Sequence, residues 1–566
     1  MDVVFRADAS REIGSGHVMR CLTLASALTH RDIRCGFVCR EFSGNLISRI
    51  ELAGFPVLRL PLNDNNQANF EDVMGPLATP PDSTTTITDG INALRKEMGW
   101  DASEQQSDAD SDHPVDQHRL RQSSKCKLAF ESRIDWLIID HYSIDWKWEQ
   151  SARPYFKQLM VIDDKADRYH DCDLLLDQNL VDDWQLRYQG KVPDRCRLML
   201  GPGFALLQPE YAKLRAVLQQ KVKIKDDIHS KPQRKLQRES MRRIFVYFGA
   251  ADQKNITFKV LSAIKRLGRA DLVTDVVTSS KSINDGCFAM FTEANTAFHF
   301  HHSLPTLAPL LAQADFAIGA GGATTWERCC LGVPSLVITI ADNQQSIAES
   351  LHRYRLIRYL GDQDDVDEAK IAAALNKVLE YGIDDDWQQR CLNLVDGYGA
   401  NRVVDCIMLN QRSLLLIRDV EMSDERLVFD WANDIEVRKN SFQPELIDWT
   451  THQAWFKQKL RDRSISEFWI VQSREGLELA QLRFDRLSNP GYWRLNYLLA
   501  PHARGIGLAA PIVKQGLEKL QTKYSRAIVV AEVARHNLRS AKVLKGAGFA
   551  LIEDKPSRLV FQIRLS

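Results

Sequence analysis

Three groups of residues in this sequence have the types and spacing to do chemistry. The first is Arg6-x-Asp8, followed by Gly14-x-Gly16-His17-x-x-Arg20. Glycines after a first strand let the backbone approach a ligand closely. His17 would open the helix that follows, at the positive end of its dipole, where a neutral imidazole able to act as a base is favoured. Arg20 is three residues on, on the same helical face. Asp8 is near enough to orient His17 or a sugar hydroxyl. Spacing alone fits equally well a helix-capping histidine on an ordinary strand–helix turn. Asp140-His141-Tyr142 closes a later apolar strand. A carboxylate, an imidazole and a phenol at a strand end suit recognition of hydroxyls and amides, although a plain polar cluster at a sheet end would look the same.

The second group runs from Asp315 to Glu327, a strand, a glycine-rich turn and a helix start. Amides at Gly321, Gly322 and Ala323 would suit a pyrophosphate. Thr324 or Thr325 could donate a hydroxyl, and Glu327, one turn in, could accept from ribose hydroxyls. Asn343-Gln344 follows the next strand. Gly249 opens a further turn that includes Asp252 and Asn255, the latter suited to phosphate or sugar. The third group is Leu498-Leu499-Ala500-Pro501-His502-Ala503-Arg504-Gly505-Ile506-Gly507-Leu508-Ala509, with Asn537-x-x-Ser540 downstream. His299, His301 and His302 are dense enough to suggest a metal. A strand running into a turn sends alternate residues to opposite faces, and no carboxylate or cysteine completes a set, so no metal is expected.

The elements that must position these groups come from a chain of 566 residues, long enough for two to four domains. Lys plus Arg equals Asp plus Glu, 74 each, which argues against nucleic acid as a partner. No apolar run approaches the roughly 18–20 residues that span a bilayer, and the N-terminus lacks the pattern of a signal peptide. The 11 cysteines are odd in number and scattered, as expected for reduced thiols. A cytoplasmic protein with no membrane partner is the expectation. Residues 1–60 alternate strand and helix, which implies a parallel sheet. A polar insertion follows at about 62–130, with Ser103–Lys125 read as mobile. The sheet resumes at Trp136–Asp140, Leu159–Asp163 and Leu174–Leu176 and completes a domain to residue 220. A polar linker is expected at 221–243, a second α/β domain at 244–410, and a third unit at 414–566 that begins helical and continues through a hairpin-like pair.

Residues 1–410, apart from the polar insertions, resemble the UDP-2,4-diacetamido-2,4,6-trideoxy-β-L-altropyranose hydrolases of pseudaminic acid synthesis. The resemblance is carried by the Arg6–Arg20 motif and, in the same order, by Leu137–Tyr142, Ile162-Asp163-Asp164, Asp173–Asn179 and Gly203–Leu207. It implies that His17 activates water to displace UDP from the anomeric carbon, with Arg6, Asp8, Gly14, Gly16, Arg20, Asp140, His141 and Tyr142 around the sugar. Asp315–Glu327 resembles the UDP-binding half of the GT-B glycosyltransferases, an architecture those hydrolases share. Ala250 stands where they usually carry a second glycine. Arg504, Gly507 and Ala509 fill the defined positions of motif A of the GNAT acetyltransferases. In that motif the preceding strand can pair with pantetheine amides, and the turn amides hold the CoA pyrophosphate. Asn433-Asp434, Val437-Arg438 and His452-x-x-Trp455-Phe456 resemble sugar-acetylating members, where they would lie near the acceptor. Many GNATs place a thiolate-protonating tyrosine four residues before the final glycine; here that position is Leu544, and Glu532 and His536 are the nearest substitutes.

The expected fold class is therefore α/β, two Rossmann-like domains in a GT-B arrangement followed by a C-terminal GNAT domain. The expected activity is a UDP-sugar hydrolase fused to an N-acetyltransferase. It would take a UDP-linked amino or acetamido sugar and acetyl-CoA as cosubstrate, with neighbouring pathway enzymes as candidate partners. The rivals are a GT-B glycosyltransferase, a hydrolase of a related nonulosonic acid pathway, and a UDP-sugar sensor without turnover.

Overall fold

The structure is a computed structural model. It describes residues 1–60, 92–100, 133–228, 243–278, 291, 297–409 and 415–565, with single positions left out at 11, 93, 97, 250, 251, 253, 303, 384, 463, 475 and 506. Most of the expected insertion, Ser103–Lys125 and Ala250 among the positions read from sequence, lies outside the described residues. The helix Pro209–Ile228 runs past the expected domain end at 220 and through the first part of the expected linker.

The first sheet contains β1 (Asp2–Ala7), β2 (Arg34–Arg40), β3 (Val57–Leu60), β4 (Ile134–Asp140), β5 (Phe156–Ile162), β6 (Leu174–Asp177) and β7 (Arg197–Leu200). Their order is β3-β2-β1-β4-β5-β6-β7, and β1 pairs in parallel with both β2 and β4. Strands covered on both faces read as continuous apolar runs rather than alternating ones, and β1 is buried along its whole length. The chain progresses one way from β1 to β3 and the other way from β4 onward. Residues leaving β1 and β4 therefore meet at a topological switch point, where open α/β sheets bind ligands. Register places Ala7 beside Asp140. Part of the stretch read as a polar insertion serves this core: Leu94, Met98 and Trp100 are buried. A Cβ at Gly36 would come within 2.5 Å of the Met98 sulfur.

The second sheet repeats the plan with β8 (Arg243–Tyr247), β9 (Val273–Val277), β10 (Ala297–His301), β11 (Phe316–Gly319), β12 (Ser335–Thr339) and β13 (Arg358–Asp362). The order β10-β9-β8-β11-β12-β13 puts its switch point between β8 and β11. The helix Ile256–Arg266 buries Ile256, Val260, Ala263 and Ile264 against it, the i, i+4, i+7, i+8 stripe of an amphipathic helix. Apart from residues 197–199 of β7, both sheets fall in one compact unit, residues 1–184, 190–193 and 200–400. Chain returning at 397–399 packs directly on backbone at 205–212, since a Cβ at Gly397 or Gly399 would meet Ala212 or Ala205.

The second unit comprises 401–566 with 185–189 and 194–199. Its strands β14 (Leu415–Asp419), β15 (Ser466–Ser473), β16 (Glu478–Arg486), β17 (Tyr492–Leu499), β18 (Ile528–Ala534), β19 (Ala550–Asp554) and β20 (Arg558–Arg564) run in the order β14-β15-β16-β17-β18-β20-β19. The expected hairpin is β15–β16. The pair β17–β18 is parallel, and it is joined only from Tyr492–Arg494 to Ile528–Val530. Among the described residues no helix is long and apolar enough to cross a membrane.

Gly399→Ala tests the close approach in the first unit. Its Cβ would fall 2.6 Å from the Ala205 nitrogen, and backbone cannot rotate aside as a side chain can. A loss of about 1–3 kcal/mol is expected in denaturant unfolding followed on that unit; an unchanged midpoint would contradict the packing.

Candidate active sites

The helix Gly16–Thr29 begins directly after the Gly14 turn, and Gly14 has φ of +82°, a left-handed conformation that glycine adopts freely. His17, its second residue, is buried and faces the end of β4. His17 Nδ1 lies 2.5 Å from Asp140 Oδ1. Arg20, one turn further, donates to the same carboxylate through Nε (2.5 Å) and Nη2 (2.6 Å). Its Nη1 donates to Asp164 Oδ2 at 3.2 Å, and the Tyr142 hydroxyl donates to that oxygen at the same distance. The Tyr142 ring meets the His17 ring edge-on at 4.4 Å between centroids. Burial alone would raise the Asp140 carboxyl, but Arg20 and His17 outweigh it and hold Asp140 well below the usual range. An ionised Asp140 accepts from Nδ1–H, so this hydrogen-bond network assigns the lone pair to Nε2. No described residue hydrogen-bonds Nε2. That is the arrangement of a general base.

The other residues singled out near His17 do different work. Arg6 and Asp8, two apart along the β1 direction, form a buried bidentate pair at 2.7 and 2.8 Å. Asp8 also accepts from the Arg40 amide at 2.7 Å and lies 3.2 Å from His141 Nε2. Burial opposes its ionisation, yet Arg6 and His141 keep it far below the ordinary value. Asp140, rather than Asp8, orients His17, because β4 lies beside β1 and delivers its last residue there. His141 Nδ1 accepts from the Ser143 amide, and burial lowers its pKa despite Asp8, which favours a neutral ring. Asp164 and Lys165, whose ammonium lies 4.2 Å above the Tyr142 ring, belong to the same cluster. The signal for Asp164 was its place after β5, the strand next to β4.

In the second sheet, Gly319, Gly321 and Gly322 form the turn after β11. A Cβ at Gly319 would meet the Tyr247 carbonyl oxygen at 2.5 Å, so only glycine fits. Gln344 Oε1 accepts from the Gly321 amide and from the Ile340 amide, both at 3.2 Å. The Gly321 amide, expected to meet pyrophosphate, is therefore already held by a side chain. Thr325 is buried and accepts from Arg328 Nη2 at 2.9 Å, which leaves half-buried Thr324 as the nearer hydroxyl. Asp252 caps the helix Ile256–Arg266 by accepting from the Ile256 and Thr257 amides at 2.7 and 2.9 Å. Asn255 is left-handed at φ of +52°. Asn343 Nδ2 donates to the Tyr142 hydroxyl at 3.0 Å, joining the two clusters within the unit. Glu327 Oε2 is buried without a hydrogen-bond partner among the described residues. Burial pushes this carboxyl up to about 7, against the pull of the Tyr211 hydroxyl and Arg328. His299, His301 and His302 sit at the end of edge strand β10, with His301 2.9 Å from Asp275.

In the second unit, Arg504 folds back onto the strand it follows. Its Nε and Nη2 donate to the Leu499 carbonyl at 3.1 and 3.0 Å, and its Nη1 lies 2.8 Å from Asp434. Asp434 also caps the helix Ile435–Lys439. Arg504 is thus a brace for the turn, and Gly505 and Gly507, with φ of +79° and +80°, shape the loop that enters the helix Ala509–Lys523. Asn537 caps the next helix through the Ser540 amide at 3.0 Å. Leu498 lies on β17 beside Leu499. Asn433 and His452, expected near an acceptor, hold backbone at Ile447 and Glu425. Glu532 is paired with Arg558 at 2.8 Å, and His536 bonds the Lys439 carbonyl.

Glu327 gives a stability test. Its folded pKa of about 7 exceeds the ordinary 4.5, so the folded chain holds the extra proton between those pH values. The stability this confers is present at acid pH and is lost as pH rises through about 7. Glu327→Gln, neutral throughout, should unfold later than the native chain by about 1–3 kcal/mol near pH 8 and about equally near pH 4.5. A gain only at acid pH would contradict the assignment.

Comparison with known proteins bears on both units. Residues 415–550 match the acetyltransferase (GNAT) domain family. The UDP-2,4-diacetamido-2,4,6-trideoxy-beta-L-altropyranose hydrolase of Campylobacter jejuni is 22% identical over 62% of this chain and 95% of its own. An uncharacterized protein of Methanocaldococcus jannaschii is 19% identical over 97% of this chain and 96% of its own. The crystal structure of Acinetobacter baumannii MurG matches with a TM-score of 0.43 at 12% identity, covering 72% of this chain and 99% of that one. The chain thus joins a hydrolase-like region to a C-terminal GNAT domain.

Proposed function

We propose that this chain catalyses two steps on one UDP-linked sugar. The second unit acetylates the amino group of a UDP-4-amino-4,6-dideoxy-N-acetyl-β-L-altrosamine with acetyl-CoA. The first unit then hydrolyses the resulting UDP-2,4-diacetamido sugar, as in pseudaminic acid synthesis. The observation that carries the hydrolase half is the His17–Asp140 pair at the switch point. Nε2 takes a proton from water, and the oxygen attacks the anomeric carbon. The bond from that carbon to the diphosphate oxygen breaks, and UDP leaves with the electron pair. Asp140 stabilises the imidazolium that forms, while Arg20 and Tyr142 border the sugar. Glu327 takes the ribose hydroxyls, Thr324 with the Gly322 and Ala323 amides borders the diphosphate, and Asn255 and Asn343 flank it. Similarity to the Campylobacter hydrolase supports this reading. For the acetyltransferase half, support comes from the GNAT match and from the gap between β17 and β18. Carrying both sites on one chain keeps the intermediate close to its next catalyst.

A glycosyltransferase would use the same cradle with an acceptor other than water, and a sensor would bind without turnover. Purified chain, the UDP-amino sugar and acetyl-CoA should give free diacetamido sugar and UDP, read by mass spectrometry. Acetylation without UDP release would sink the hydrolase reading. His17→Ala should stop at the acetylated UDP-sugar, with hydrolysis down by at least about 10²-fold. Asp140→Asn should lower kcat for hydrolysis by about 10²-fold or more while acetylation continues at the native rate; equal loss of both activities would point to misfolding instead.

A further inference from the structure

The acetyltransferase motif lacks its usual proton donor. Leu544, four residues before Gly548, is fully buried and can donate nothing. Glu532 and His536 are engaged by Arg558 and the Lys439 carbonyl. The gap between β17 and β18 offers another group. Pairing between these strands ends at Arg494 and Val530, while β17 stays paired to β16 through Leu499. The edge of Leu495–Leu499 therefore faces the gap, where an amide-bearing arm such as pantetheine can extend the sheet. On this stretch Tyr497 alternates with buried Trp493 and Leu495 on one face. Its hydroxyl lies 2.7 Å from Ser540 Oγ, on the helix Leu538–Gly546 that follows β18. Ser540 is in turn fixed by Asn537 through its amide. A phenol thus spans from one side of the gap to the helix beyond the other.

We propose that Tyr497, held by Ser540, donates the proton to the departing CoA thiolate, an inference that rests on the acetyltransferase reading. The amine nitrogen attacks the thioester carbonyl. The tetrahedral adduct collapses with cleavage of the carbon–sulfur bond, whose electron pair goes to sulfur, and the Tyr497 proton passes to it as free CoA forms. The phenolate recovers the proton that the acceptor nitrogen has lost, through the Ser540 hydroxyl and water. Burial pushes the Tyr497 hydroxyl up to about 12, partly offset by Ser540, so it holds its proton throughout the neutral range.

The test uses the full chain with acetyl-CoA and the UDP-4-amino sugar. Acetyl-CoA affinity is read by calorimetry and turnover by thiol release. Tyr497→Phe should lower kcat by about 10²-fold with acetyl-CoA Kd unchanged, and Ser540→Ala should lower it by about tenfold or less. An unchanged Kd also reports an intact fold. Native kcat in Tyr497→Phe overturns the assignment and leaves the acetyltransferase reading standing. A raised Kd at native kcat overturns it too, and makes Tyr497 a binding group. If the native chain binds no acetyl-CoA or acetylates nothing, the reading fails and the inference with it.

Discussion

A carboxylate sealed from solvent at the end of a buried strand must be paired, and that requirement organises the first unit. Asp140 is 0% exposed. An isolated charge there would be too costly to keep, and removing one partner of a buried pair is far worse than never having built it. Asp140 meets the requirement with four donors, His17 Nδ1, Arg20 Nε and Nη2, and the Cys21 thiol. All come from one turn of one helix. The price of burying the charge fixes the imidazole by its Nδ1 and the guanidinium by two nitrogens, and leaves Nε2 toward the ligand side. Neither side chain can be moved without exposing the other's contact to an unpaired carboxylate.

The same logic recurs around this centre with different outcomes. Asp8 is paired out by Arg6 and His141, and serves the sheet end as a satisfied cluster. Glu327 is the opposite case, a carboxyl enclosed beside the Tyr211 hydroxyl, with its Oε2 closed off from solvent. Between them, Tyr142 donates to Asp164 and accepts from Asn343, so groups that follow strands of both sheets share one hydrogen-bond chain.

Much of this was legible in the sequence. Apolar runs and glycine turns located both parallel sheets, and the Arg504–Ala509 pattern located the turn that enters the helix Ala509–Lys523. The chemistry of Asp140 was less legible. Its role depends on β4 lying beside β1, a pairing made across more than a hundred residues of intervening chain, so its strand-end position suggested only sugar contact. Arg6 and Asp8 read as ligand groups in the sequence, but Asp8 lies just past the end of β1, where the chain turns its carboxylate back onto Arg6. Gln344 occupying the Gly321 amide, and Tyr497 meeting Ser540 forty-three positions away, depend on loop and helix placement that no local pattern encodes. The length of one helix was hidden for a related reason. The helix Pro209–Ile228 continues through polar sequence because its earlier turns are anchored: Arg215 donates to the carbonyls of Cys330, Leu392 and Val395.

The role of the His17–Asp140 pair turns on which bond water breaks. If His17 directs water to the anomeric carbon, hydrolysis of the UDP-diacetamido sugar in water enriched in heavy oxygen must return UDP without the label, because its diphosphate keeps the bridging oxygen. UDP carrying one heavy oxygen would mean attack at phosphorus, and would contradict the role assigned to the His17–Asp140 pair.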